Sequence, residues 1–255
     1  MFIPLGDDNR DRRIAPLVNI ALIAANVLVF VFLQGFGSNV RFTYSLSMVP
    51  AEILTGRDVV TDNREVTDPT TGEQFEVPGL QPTPWSVYLT LLTSMFMHGG
   101  LAHLLGNMLF LWIFGDNIEN SMGHVRYLVF YLVTGVLASF GHLATVVALG
   151  QDLNVPSLGA SGAISGVLGG YLLLFPRRQV RVLILRTITT VPAIVAIGMW
   201  FLFQVVSGIG LLGGSETGVA YGAHIGGFVA GFVLVKVFML GIEPDPRWRP
   251  QPREL

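Results

Sequence analysis

The chain has 255 residues, of which 51% are hydrophobic and 13% charged. Soluble domains usually carry about 25% charged residues, so this composition points away from water and toward a bilayer. The absence of cysteine excludes disulfides, thiolate metal sites and a cysteine nucleophile, and a net charge of −2 gives no basis for nucleic-acid binding.

In chain order, residues 1–13 are polar and end in Arg10, Arg12 and Arg13. Residues 14–33 form a first apolar run, near the roughly 20 residues a helix needs to cross a bilayer. It has no small-residue cleavage site and reads as an anchor. Residues 36–84 are the least membrane-like part, with Asp58, Asp62, Glu65, Asp68, Glu73 and Glu76. They read as a polar outer-face loop insertion after the first helix. Within it, residues 64–67 and 73–77 flank Asp68-Pro69-Thr70-Thr71-Gly72 and predict a β-hairpin. Residues 85–97 predict an interfacial helix. Further spans are predicted at 101–118, 127–149, 161–175, 188–206 and 219–240, with a Pro- and Arg-rich cytoplasmic tail over 241–255. The expected fold is an all-α membrane protein: one domain, a bundle of six transmembrane helices.

Six spans also sort the cations. Arg126, the group Arg177, Arg178, Arg181 and Arg186, Lys236, and Arg247, Arg249 and Arg253 then share one side with the N-terminal arginines. That satisfies the positive-inside bias with both termini cytoplasmic. With no targeting presequence evident, a prokaryotic plasma membrane is the expected location.

Ionisable and polar residues inside spans are costly and usually functional. His103 and Asn107, four apart, share one helix face; hydrogen-bonding glue between helices is the commoner reason for such a pair. Ser161, in Gly159-Ala160-Ser161-Gly162, opens the short fourth span. A helix N-terminus there offers N–H groups to a developing oxyanion, although serine is equally at home as an N-cap. His224, in Ala223-His224-Ile225-Gly226-Gly227, lies near the start of span six. It supplies the base that a serine hydroxyl needs, or else bonds a backbone carbonyl. Together these residues make a nucleophile, a base and two oxyanion donors at the ends of three spans that face the same side. His98 and His124, at span edges, read as interfacial, and Asp116, Asn117, Glu119 and Asn120 as partners of Arg126 or helix caps. No HExxH motif or carboxylate–histidine cluster suggests a metal site, and no cofactor is expected.

These stretches resemble the rhomboid intramembrane serine proteases. The resemblance rests on His103-Leu104-Leu105-Gly106-Asn107, on Gly159-Ala160-Ser161-Gly162 and on Ala223-His224 with Gly227 and Gly231. Glu119 with Gly123 is similar to the family's inner-loop pattern, and the likeness covers roughly residues 85–240. It implies a Ser161–His224 dyad without an acidic third member. It also implies an oxyanion hole of His103, Asn107 and the Ser161 N–H, and lipid-embedded transmembrane proteins as substrates. The rival reading is a catalytically inactive relative that binds or escorts membrane proteins. One departure stands out: some members carry an aromatic residue four positions after the nucleophile, stacked on the histidine, where this chain has Ser165.

Overall fold

The computed structural model describes residues 2–67, 72, 74–208 and 220–242. In chain order it runs β1 (Phe2–Asp7), α1 (Leu17–Leu28, continued by a π-helical turn at Val29–Leu33), α2 (Val40–Ser45) and α3 (Pro50–Thr55). The hairpin β2 (Arg64–Thr67) and β3 (Gln74–Val77) follows, then α4 (Thr90–Thr93), α5 (Leu101–Met122), α6 (His124–Leu149) and α7 (Ser161–Leu174). The chain ends with β4 (Gln179–Ile184), β5 (Thr187–Pro192), α8 (Ala193–Gly208) and α9 (Tyr221–Phe238). Among the described residues, α5, α6 and α9 are long and apolar enough to cross a membrane; the apolar helices Leu17–Leu33, Ser161–Leu174 and Ala193–Gly208 are shorter. The tail from residue 243, and residue 219 at the predicted start of the last span, lie outside the described residues.

Helix α7 is the axis of the bundle. Every residue from Gly162 to Tyr171 is buried, among α5, α6 and α9. At 14 residues it is about 21 Å long by its rise per residue, against about 30 Å of hydrocarbon. Its neighbours α5 and α6, with 22 and 26 residues, outreach it. A short helix walled by longer ones leaves a recess at its end, and polar backbone there meets protein rather than lipid.

Small residues allow this packing. A Cβ on Gly227 would overlap the Gly162 carbonyl, and one on Gly231 the Gly166 carbonyl, so α9 lies backbone-to-backbone on α7. Gly141 on α6 meets Gly222 and Gly226 on α9 in the same way. In lipid, where apolar surface gains little by being covered, such close backbone approach is what holds helices together.

Polar ties close the opposite end. Helix α1 starts after Pro16 with no side-chain cap of its own. The Glu119 carboxylate, fully buried on α5, accepts from the N–H groups of Val18 (2.9 Å) and Asn19 (2.8 Å). This satisfies orphan donors and sets a negative group at a helix N-terminus. His124 Nδ1 lies 2.5 Å from the same carboxylate. Asn120 accepts from the Arg13 N–H at 2.8 Å, and Arg12 pairs with Asp116 at 3.3 Å. Of the two readings offered for Asp116, Asn117, Glu119 and Asn120, Glu119 takes the helix cap, and the partners of the other three are Arg12, Asp7 and Arg13 rather than Arg126. Arg126 instead donates to the carbonyls of Phe238 and Leu240 at the end of α9, where a cation complements the helix dipole.

The all-α expectation needs correction. Strands β1, β4 and β5 form an antiparallel sheet in the order β1-β4-β5, with Phe2 opposite Ile184 and Gln179 opposite Pro192. The fifth helix therefore begins at Ala193, not 188. Residues 187–191 are mostly β-branched and exposed, and such residues prefer a pleated strand. Pro192 ends the ladder, and the first α8 amides are satisfied by the carbonyls of Arg178 and Pro176. The predicted hairpin in the insertion does form, pairing Arg64 with Val77 and Thr67 with Gln74.

Strand β1 is tethered through Asp7, whose carboxylate accepts from Tyr171 Oη (2.5 Å) and Asn117 Nδ2 (2.8 Å). Burial, reinforced by Asp116 and Asp8 and opposed by the Tyr171 bond and Arg178, pushes Asp7 up to about 7. A carboxyl raised in the docked state binds its proton more tightly there than in the free strand. Docking is thus strongest below the ordinary carboxylate range and weakens as pH rises toward and past 7. Hydrogen-exchange protection of the β1 amides, corrected for intrinsic rates, should fall between about pH 5 and 8, and Asp7→Asn should flatten that dependence. Equal pH dependence in both proteins would refute the assignment.

Candidate active site

Ser161 occupies the first turn of α7. The approach to it is pinned: Met48 and Ser157 exchange backbone hydrogen bonds (3.0 and 2.8 Å), and the Gly159 N–H donates to the Ser94 carbonyl at 2.9 Å. Gly159 turns with φ +123, a conformation open essentially to glycine. A side chain there would also strike the His103 ring. Beyond this turn the leading amides of α7 have no intrahelical acceptor, so they are available to an anion at the helix mouth.

His224 lies in the first turn of α9. The glycine contacts between α7 and α9 bring its Nε2 to 2.8 Å from Ser161 Oγ. Its other nitrogen, Nδ1, is 2.7 Å from Oε1 of Gln204, a buried residue of α8. Ser165 does not reach the histidine: its hydroxyl donates to the Ser161 carbonyl at 2.6 Å. The aromatic neighbours of His224 are Trp200, tilted at 6.0 Å between ring centres, and Tyr221, edge-on at 6.5 Å.

His103 and Asn107 rise from the first turns of α5 beside this pair. A point one bond beyond the Gly159 Cα lies 2.8 Å from His103 Nε2 and 3.7 Å from Ser161 Oγ, so both atoms border one small space. Asn107 Nδ2 lies 2.9 Å from His98 Nε2, and the His98 and His103 rings meet edge-to-face at 5.1 Å. His98 is not interfacial, as its place at a span edge suggests, but fully buried. Gln34 holds its backbone, accepting from the His98 N–H (3.0 Å) and donating to its carbonyl (2.9 Å). One amide hydrogen of Asn107 is thereby turned toward His98, which fixes the amide plane and leaves its second hydrogen for another acceptor.

Ser161, His224, His103 and Asn107, spread over more than a hundred residues, therefore converge at one end of the bundle. Gln204 and His98 join them; sequence reading alone passes over Gln204 and assigns His98 to the membrane interface. Gln204 is the polar interruption of an apolar helix, but a search for ionisable groups does not catch a neutral amide. His98 sits three residues before the start of α5, at a span edge, and so reads as interfacial.

The rhomboid domain pattern matches residues 85–240, well over half of the chain. The chain belongs to the rhomboid family. It is a mostly helical, multi-pass integral membrane protein. RHOMBOID-like protein 4 of Arabidopsis thaliana is 36% identical over 159 residues, which is 62% of this chain and 35% of that protein. Rhomboid protease GluP of Bacillus subtilis (strain 168) is 37% identical over 143 residues, 56% of this chain and 24% of GluP. The human presenilin-associated rhomboid-like protein, mitochondrial, is 35% identical over 125 residues, covering 45% and 32%. The matched region thus spans about a quarter to a third of these relatives.

The α7–α9 contact admits a clean test. Gly231→Ala places a methyl into the Gly166 backbone, whereas Gly198→Ala adds one where nothing lies within 4 Å. The first should lower stability by roughly 1–3 kcal/mol through overpacking and slow reaction with a serine-directed probe. The second should be neutral or slightly stabilising by helix propensity. Thermal unfolding in detergent with probe kinetics measures both; equal behaviour of the two variants would contradict the contact's importance.

Proposed function

We propose that this chain is an intramembrane serine endopeptidase that cleaves transmembrane segments through Ser161 and His224. The observation that carries this reading is the 2.8 Å contact between His224 Nε2 and Ser161 Oγ at the recessed mouth of α7. A half-buried base on a hydroxyl beside free helix amides is an arrangement for acyl transfer.

In this mechanism His224 Nε2 takes the Ser161 proton as Oγ attacks a peptide carbonyl. The oxyanion is held by the Ser161 N–H, the free Asn107 amide hydrogen and His103. Protonated His224 returns its proton to the leaving nitrogen, giving an acyl-enzyme that water opens by the reverse sequence. The bundle crosses the membrane six times with both termini on the arginine-rich side, so that α1, α7 and α8, though short, complete the spans begun by α5, α6 and α9. The recess opens to the opposite, outer face. Substrate helices must unwind to present a carbonyl, so segments weakened by glycine or other poor helix formers near that face are preferred.

The test is turnover in proteoliposomes of a transmembrane substrate. Ser161→Ala and His224→Ala should nearly abolish cleavage, and Asn107→Ala should lower kcat by about 10²- to 10³-fold, as for one oxyanion donor. Replacing outer-face glycines of the substrate by leucine should slow cleavage. Normal cleavage by Ser161→Ala would end this reading, and a wild type inert toward every such substrate would favour a binding or escort role.

A further inference from the structure

We propose that Gln204 is the positioning residue of the dyad: its carbonyl oxygen accepts from Nδ1–H of His224 and so keeps the Nε2 lone pair on Ser161. This rests on the protease reading above and adds a third member to it.

A neutral imidazole has one N–H donor and one lone-pair acceptor. Nε2 can take the Ser161 proton only if the hydrogen sits on Nδ1. An amide oxygen accepts and never donates, so Oε1 at 2.7 Å from Nδ1 selects that tautomer. The opposite tautomer would face two lone pairs across the same distance. Gln204 is 5% exposed, and a buried amide without a partner is costly, so the bond serves both residues. The two contacts of His224, to Gln204 at 2.7 Å and to Ser161 at 2.8 Å, tie α8, α9 and α7 together.

The need for such a residue follows from the ring's surroundings. Ser165 is turned to its own helix, and Trp200 and Tyr221 lie 6.0 and 6.5 Å away without stacking face to face. Among the described residues the ring therefore has no flat partner to restrain its rotation, and a directional hydrogen bond supplies the restraint. A neutral amide also avoids burying a carboxylate, which is expensive in an apolar bundle. When the Ser161 proton moves to Nε2, Nδ1 keeps its hydrogen, and its bond to Oε1 becomes charge-assisted. No proton passes to Gln204, and the Nε2 proton leaves with the departing nitrogen.

The experiment uses the full chain in proteoliposomes with a cleavable transmembrane substrate, comparing wild type, Gln204→Met, Gln204→Glu and Ser161→Ala. Methionine keeps the length and removes the acceptor; glutamate keeps an acceptor. Gln204→Met should lower kcat by about 10- to 100-fold, the size of loss that follows when the partner orienting a metal-bound histidine is removed, with KM little changed. Gln204→Glu should recover most of it, which packing alone would not do. Independently of any variant, the ring ¹⁵N shifts of wild-type His224 should report a protonated Nδ1 and an unprotonated Nε2. A wild-type ring protonated on Nε2, or Gln204→Met with wild-type kcat in a Ser161-dependent enzyme, would overturn the role of Gln204 alone. A wild type that neither cleaves nor reacts with a fluorophosphonate would overturn the protease reading and this inference with it.

Discussion

The contact on which the site depends is the one between backbones. Glycines 227 and 231 of α9 lie against the carbonyls of Gly162 and Gly166 on α7. Ser161 and His224 each sit one helical turn or less from this seam, so the distance between their side chains is set by how closely the two helices approach. Larger residues there would separate the axes, and a hydrogen bond tolerates only a few tenths of an ångström before it weakens. The geometry of the Ser161–His224 pair is thus a property of residues with no side chain.

The same constraint explains where the polar groups lie. A membrane interior penalises every unsatisfied N–H and C=O, and this bundle meets that penalty by exchange between elements. Glu119 of α5 satisfies the start of α1, Asn19 of α1 donates to the Leu111 carbonyl and accepts from Tyr127 of α6, and Arg126 closes the end of α9. Gln34 holds His98, and His98 holds Asn107. Each tie satisfies backbone or aligns a side chain that faces the recess. Helix α7, too short to span the hydrocarbon, is stable there because longer neighbours keep lipid from its N-terminus.

Much of this is legible from residue types. Ser161, His224, His103 and Asn107 stand out because a polar group in an apolar run needs a reason, and the ends of α5, α6, α7 and α9 fall within a few residues of their hydrophobic limits. What is not legible has physical causes. The run Thr187-Ile188-Thr189-Thr190-Val191 is apolar enough to extend a helix by hydropathy, yet its β-branching favours a strand once β4 lies beside it. The β1–β4 pairing joins residues more than 170 positions apart, which no local pattern announces. Gln204 escapes notice, and His98 is read as interfacial, because their importance lies in the partner atom across the bundle.

The most direct measurement is mass-spectrometric location of a fluorophosphonate adduct on the protein in lipid. A reagent that captures only an activated serine should modify Ser161 in the wild type and leave both Ser161→Ala and His224→Ala unmodified. Modification of a different serine, or a wild type as inert as His224→Ala, would contradict the claim that the α7–α9 seam assembles a working nucleophile.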